Sequence, residues 1–511
     1  MAHGYNVDMI KLLKRRWLWA LLSGMLLALG FPGFGIDWLS WFALIPLFFV
    51  MERGGYWRNG WYGLLAGGAF FGTLLRWLYN LKEWTGPEIL WIYLLLIVYL
   101  SLYWGAFGLL YTFLKRRLGT LRLSLAVPAL WVLLELARSL GRLGLAWGDI
   151  GYVLYRREEL IQLAAITGVW GLSFTVVWVS YLLFLTLKER DWRPFVAVIL
   201  IWVLLFQLGS VALSRVPPKG RELHLALVQP NIPQERKSSS AEIGPLLDRY
   251  RELLTQTEAA KADLVVLPES ILPAYLLQQQ EYLEPLSAFA KQNGAYLVVG
   301  TIDYRQGRFY NTAALLSPAG KVVAQYDKVQ LVPFSTEYVP FRKQLERWGL
   351  GPLLRELAPA ELTPGAGFQP LESVLGKIAT PICFESTFSH ISRSFVRNGA
   401  ELLVTITNDA WFDRSSALPQ HLSFGAIRAV ETRRYFVQAA NTGLSGIISP
   451  RGEMIAESEV EEEEVLYATV ELLDGETFYV QFGDWLPWLG LLYLLAALIV
   501  PARGSRYRRR S

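Results

Sequence analysis

Residues 194–229, PFVAVILIWVLLFQLGSVALSRVPPKGRELHLALVQ, hold two kinds of structure side by side. Up to residue 213 the run is almost wholly apolar and matches the roughly 20 residues that a helix needs to cross a hydrocarbon core. From Leu223 to Val228 comes a short apolar run, the first of a series separated by amphipathic segments, which is the pattern of strands in an α/β domain. The expected fold is therefore a multi-span α-helical membrane bundle joined near residue 215 to an α/β domain.

Six more apolar stretches precede this one, at about 17–31, 36–51, 60–79, 88–114, 121–140 and 160–187. The first two, joined by Gly30-Phe31-Pro32-Gly33, read as a hairpin. Lys11, Lys14, Arg15 and Arg16 ahead of the first span imitate the start of a signal peptide, but six further spans argue against cleavage. Short loops rich in Lys and Arg stay cytoplasmic. The N-terminal cluster, Arg53 with Arg58, Lys115 to Arg117 with Arg122, and Lys188, Arg190 and Arg193 fall on alternate sides of consecutive spans. All lie inside if the N-terminus does, and the domain after the seventh span is then outside. An eighth span, about 485–500, leads to a tail carrying Arg503, Arg506, Arg508, Arg509 and Arg510, which agrees with a cytoplasmic C-terminus. The division expected is a seven-helix bundle over 1–215, an extracytoplasmic domain over 216–475, and a last helix with its basic tail over 476–511.

Within the middle region, strands are expected at Leu223–Val228, Leu264–Leu267, Tyr296–Val299, Thr312–Leu316, Lys321–Tyr326, Lys377–Ile382, Leu402–Ile406, Phe436–Ala440, Gly446–Ile448 and Val465–Thr469. Helices are expected over Leu246–Ala260 and Tyr282–Gln292. Many strands with few helices between them favour two sheets with helices outside over one doubly wound sheet.

Composition narrows the chemistry. Charged residues make up only 18% of the 511, and there are 20 Trp, a residue that gathers at membrane interfaces. The net charge of +5 sits largely in clusters flanking apolar runs, which reads as topology and not as a nucleic-acid surface. One cysteine excludes an intrachain disulfide, and the four histidines lack zinc-site spacing, so neither metal nor cofactor is expected.

Three motifs stand at expected strand ends: Leu267-Pro268-Glu269-Ser270, Tyr326-Asp327-Lys328 followed by Leu331-Val332-Pro333-Phe334, and Pro381-Ile382-Cys383-Phe384-Glu385. Singly, Glu269 reads as a helix cap, Lys328 as a surface lysine and Cys383 as a small buried hydrophobe. Together, a carboxylate, an ammonium and a thiol suffice for nucleophilic acyl transfer. A thiol is mostly protonated at neutral pH and needs a base or a cation. Glu269 supplies the base, while Lys328 favours the thiolate and later the oxyanion. The N–H of Phe384 is a second oxyanion donor.

The order Glu, Lys, Cys in L-P-E, Y-x-K-x-x-L-V-P-F and P-x-C-x-E resembles the nitrilase or carbon-nitrogen hydrolase superfamily, which implies an αββα sandwich. Within it the chain resembles the apolipoprotein N-acyltransferase family. The residues that carry this are the spans, Ala226 to Gln234, Asn408-Asp409-Ala410-Trp411-Phe412, Phe482-Gly483-Asp484-Trp485, Gly168 to Phe174 and Gly30 to Gly35. The resemblance implies a ping-pong reaction in a bacterial inner membrane, with the catalytic domain periplasmic. Cys383 would take an acyl chain from a membrane phospholipid as a thioester and pass it to the α-amine of a diacylglyceryl-modified lipoprotein. The enzyme would act as a monomer, without nucleic acid. Glu337, Phe384, Glu385, Trp411 and Asn311 are supporting candidates. Where the family motif continues P-F-G-E-Y-V-P, this chain has Pro333-Phe334-Ser335-Thr336-Glu337-Tyr338-Val339-Pro340, one residue longer and without the glycine.

Three further readings concern the surroundings. Tyr338 to Leu357 mixes Phe341, Leu345, Trp348 and Leu350 with Arg342, Lys343 and Arg347, and reads as an interfacial lid. Glu135 and Arg138, charges inside a span at i, i+3, are expected to pair. The alternative function is a membrane-tethered amidase or hydrolase in which water replaces the amine; eight spans are more than a tether requires.

Overall fold

The computed structural model describes residues 15–215, 219–258, 261–358 and 360–499. Lys11, Lys14 and the arginines from Arg503 onward lie outside the described residues. The chain divides into two compact units, one of Met1–Leu140, Gly144–Ala212 and Asp484–Ser511, the other of Gly141–Leu143 and Leu213–Gly483.

In the first unit four described helices are long and apolar enough to cross a membrane: Ile89–Lys115, Thr120–Ser139, Val169–Glu189 and Arg193–Ser214. Arg16–Leu29 and Trp485–Ile499 are shorter apolar helices, and Tyr56–Leu74 adds a further 19 residues. The stretch expected as one span over 36–51 is instead a 3-10 turn, Asp37–Trp41, and an eight-residue helix, Ile45–Glu52. Pro46 explains the restart, because a proline in the first helical turn gives up an N–H that would have had no partner. The 160–187 stretch is also interrupted, at Gly168 with φ +65°, before Val169–Glu189 begins.

Glycines let these helices meet backbone to backbone. A Cβ on Gly24 would stand 2.0 Å from the Ala66 carbonyl oxygen, on Gly63 2.1 Å from that of Trp104, and on Gly108 2.1 Å from that of Asn59. Such contacts replace the hydrophobic drive that lipid cannot supply. Asn59 adds polar ties, its Nδ2 donating to the Met51 carbonyl at 2.8 Å and to Thr112 Oγ1 at 2.7 Å. The expected Glu135–Arg138 pair gives way to a different one. Arg138 forms a buried ion pair with Asp149 and donates to the Trp147 carbonyl at 3.1 Å, while Glu135 accepts from Trp131 Nε1 and Ile150 N, each at 2.9 Å. The loop at 147–150 offered closer partners than the helix's own i, i+3 neighbour.

The second unit has twelve described strands: β1 Arg221–Gln229, β2 Leu264–Val266, β3 Tyr296–Arg305, β4 Arg308–Leu316, β5 Val322–Asp327, β6 Leu371–Ser373, β7 Gly376–Ala379, β8 Leu402–Thr407, β9 Phe436–Ala440, β10 Gly446–Ile448, β11 Met454–Glu457 and β12 Glu464–Leu472. They form two six-stranded sheets, ordered β12-β1-β2-β3-β4-β5 and β11-β10-β9-β8-β7-β6. Ala226 and Val228 of β1 join Leu246, Tyr250, Leu253 and Leu286 of the helices Ile243–Glu258 and Gln280–Asn293 in one core. Leu225 and Leu227, equally buried, take the opposite face by strand alternation. The helix Ala417–Thr432 covers the other sheet closely enough that a Cβ on Gly425 would lie 2.4 Å from the Phe436 ring. Helices thus flank both sheets, and the domain is the αββα sandwich of the nitrilase type.

β1, β2 and β3 run parallel, as do β7, β8 and β9. β4 and β5 reverse direction in turn, so β5 ends at the same edge as β2. The motifs of Glu269, Lys328 and Cys383 follow β2, β5 and β7.

Candidate active site

Glu269 lies two residues beyond Leu267, whose N–H still donates to the Val298 carbonyl at 2.8 Å, and the left-handed Ser270 (φ +48°) turns the chain there. Gly300 is required beneath: a Cβ there would stand 2.6 Å from Glu269 Cα. The buried carboxylate accepts from Asn311 Nδ2 at 2.7 Å through one oxygen and from the Asn408 N–H at 3.0 Å through the other.

Lys328 follows β5, its N–H bonded to the Asn311 carbonyl at 2.8 Å. The ammonium is buried, 2.6 Å from Glu337 Oε1 and 3.7 Å from Glu269 Oε1. Burial alone would lower its pKa, but Glu337, Glu269 and the neighbouring Cys383 outweigh that and hold it above the ordinary lysine value. The longer Pro333–Pro340 turn does not cost Glu337 its reach. Phe334 turns left-handed at φ +55°, and Ser335 Oγ donates to the Val332 carbonyl and accepts from the Glu337 N–H. Glu337 Oε2 then accepts from the Val332 N–H at 2.8 Å.

Cys383 opens the 3-10 turn Cys383–Thr387 at φ +51°, with part of its surface open. Its sulfur feels both Glu269 and Lys328. Burial first, then Glu269, push the thiol well up; Lys328 pulls the other way and loses. Burial and the Glu269 carboxylate thus favour the protonated thiol, and Lys328 acts in the opposite sense, toward the thiolate.

Glu385 is a brace, fully buried. It accepts from Tyr326 Oη at 2.8 and 2.9 Å and from the N–H groups of Val329, Gln330 and Ile382 at 2.8, 3.0 and 2.8 Å, so one carboxylate ties the lysine turn to the cysteine turn. Asn311 bridges Glu269 and, at 3.3 Å, Glu337. Phe384 is buried edge-on against Phe388. Trp411, half-buried in the turn Asp409–Phe412, stands beside the site residues Asn408 and Asp409.

Sequence reasoning missed a second layer. Asn408 Nδ2 donates to Gln234 Oε1 at 2.7 Å, and its Oδ1 accepts from Asn441 Nδ2 at 3.0 Å. Lys237 donates to the Glu269 carbonyl at 2.9 Å, and burial brings its pKa down to about 7 despite the neighbouring Glu269. Asp409 and His421 were also missed. Gln234 and the pair Asn408 and Asp409 stood in stretches that carried the family resemblance but were given no role, and Lys237, His421 and Asn441 were not singled out.

Two stacked sheets with a glutamate, a lysine and a cysteine at one shared edge define a carbon-nitrogen hydrolase domain, and residues 224–478 match the family of that description. Residues 23–182 match the apolipoprotein N-acyltransferase N-terminal domain. Proteins named apolipoprotein N-acyltransferase are 36% identical in Geobacter metallireducens over 93% of both chains, and 31% and 32% identical in Photobacterium profundum and Thermotoga maritima over 96% of both. The chain belongs to the apolipoprotein N-acyltransferase family, and its apolar helices make it a membrane protein.

Proposed function

We propose that this chain moves an acyl chain from a membrane phospholipid, through a thioester on Cys383, to the α-amine of an S-diacylglyceryl cysteine at a lipoprotein N-terminus. The thiol proton passes to Glu269 as sulfur attacks the ester carbonyl. Lys328 and the Phe384 N–H receive the oxyanion. Collapse breaks the ester C–O bond, and the lysophospholipid leaves with the proton from Glu269. The acceptor amine then attacks the thioester, Glu269 takes its proton, and the thiol reforms. The observation that supports this is Glu269 and Lys328, both buried, gathered around the partly open thiol of Cys383, in a chain that also carries a bundle of apolar helices. A periplasmic active domain, seven helices before it and one after, and cytoplasmic termini complete the reading, with Tyr338 to Leu357 as its lid. Val339 and Leu354 of that segment pack with Ala358 just after it in a small buried cluster, while Phe341 and Trp348 are exposed.

Incubating the purified enzyme with phospholipid and a diacylglyceryl-cysteine peptide tests the reading. N-acylated peptide is the expected product. Free fatty acid alone, with the peptide unchanged, would make the protein a hydrolase.

A further inference from the structure

Asp409, His421 and Ser386 form a polar line behind the nucleophile in which the proposed reaction gives them no part. His421 Nδ1 lies 3.0 and 3.2 Å from the two Asp409 oxygens, and its Nε2 lies 3.1 Å from Ser386 Oγ and 3.2 Å from the Cys383 carbonyl oxygen. Asp409 Oδ1 also accepts from Thr407 Oγ1 at 2.8 Å. Serine, histidine and aspartate so arranged have the geometry of a hydrolytic triad. That reading fails on access, since Ser386 is 0% exposed and His421 and Asp409 1% each, and on bonding, since the Ser386 hydroxyl donates to the Cys383 carbonyl at 2.9 Å.

The common end of the line is that carbonyl. Cys383 holds φ +51°, a conformation that a non-glycine residue keeps only when its surroundings fix it. Ser386 and His421 both reach the oxygen that such fixing needs. For His421 to donate there while Nδ1 donates to Asp409, both ring nitrogens must carry protons. Burial opposes that charge, but Asp409, the Cys383 carbonyl and Glu269 overcome it and raise the imidazole's pKa.

We propose that Asp409, His421 and Ser386 are positioning residues for the nucleophile: an imidazolium held by Asp409 clamps the Cys383 carbonyl and so fixes the strained turn that aims the sulfur at Glu269 and Lys328. The proposal rests on Cys383 being the nucleophile.

Cys383 is the one cysteine in the chain, so alkylation of the full-length protein by iodoacetamide reports on that thiol whatever the substrate. His421→Ala is expected to slow both alkylation at neutral pH and kcat for acyl transfer about 10- to 100-fold, with KM for phospholipid unchanged, as a misaimed reacting atom does. His421→Gln, which keeps an N–H donor, recovers much of kcat. Ser386→Ala, which removes one of two donors and little volume, gives a smaller loss at an unchanged melting temperature. Wild-type alkylation and kcat in His421→Ala, or equal impairment of His421→Gln and His421→Ala, would overturn the proposal. Should His421→Ala not fold, wild-type rates in Ser386→Ala would do the same. If the alkylation effects appear while the wild type transfers no acyl chain, the positioning stands and the acyltransferase reading falls.

Discussion

At the residue scale, the proposed chemistry turns on a thiol whose pKa burial and Glu269 raise. A cysteine pushed above its ordinary value of 9.0 reacts as a thiolate only when a base removes the proton during attack. Alkylation of Cys383 is therefore expected to keep accelerating beyond pH 9.0, and a plateau near neutral pH would contradict that. Lys237 gives a second pH signature. Its folded pKa is about 7 against an ordinary 10.5, so between those values the unfolded chain holds a proton that the folded one lacks. Stability gained from this group thus rises with pH across that window and is lost as pH falls toward 7. The melting temperature of the wild type should climb relative to that of Lys237→Met from pH 7 upward; parallel curves would show that Lys237 does not titrate there. Glu269, Lys328 and Cys383 were legible because each stands in a short motif at a strand end. His421 was not, because within ALPQHLSFGAIRAV it looks like any helix residue, and only folding brings it 3.2 Å from the Cys383 carbonyl.

At the scale of elements, strand direction does the assembling. β2 and β7, each parallel to a neighbour in its own sheet, lead into the turns of Glu269 and Cys383, β5 ends at the same edge as β2 and leads into Lys328, and Glu385 fastens two of the three turns together. The ten expected strands are all present, since apolar runs between turn residues carry a clear signal. β6 and β11 were missed, being strands of three and four residues at the two edges of their sheet, too short for alternation to show. In the bundle the elements meet through glycine. Gly63→Val would drive a side chain into the Trp104 carbonyl, and a destabilisation of about 1–3 kcal/mol is expected from such overpacking, read as a lower melting temperature in detergent. A variant as stable as the wild type would mean that the two helices can separate without cost.

For the whole molecule, sequence hydropathy located the apolar helices but not their breaks. Pro46 and Gly168 interrupt runs that composition alone reads as continuous, and Arg138 found Asp149 through a loop whose path no periodicity reveals. A membrane bundle and a nitrilase-type domain in one chain suit the lipid donor proposed above, and the decisive step of that proposal is the first, in which sulfur would take the acyl chain. Intact mass measurement after exposure to phospholipid, with no acceptor present, tests it most directly. The expected result is one acyl-sized adduct on Cys383, absent from Cys383→Ala and formed about 100-fold or more slowly by Glu269→Gln, which lacks the base. Acyl transfer that persists in Cys383→Ala, or an adduct on another residue, would contradict it.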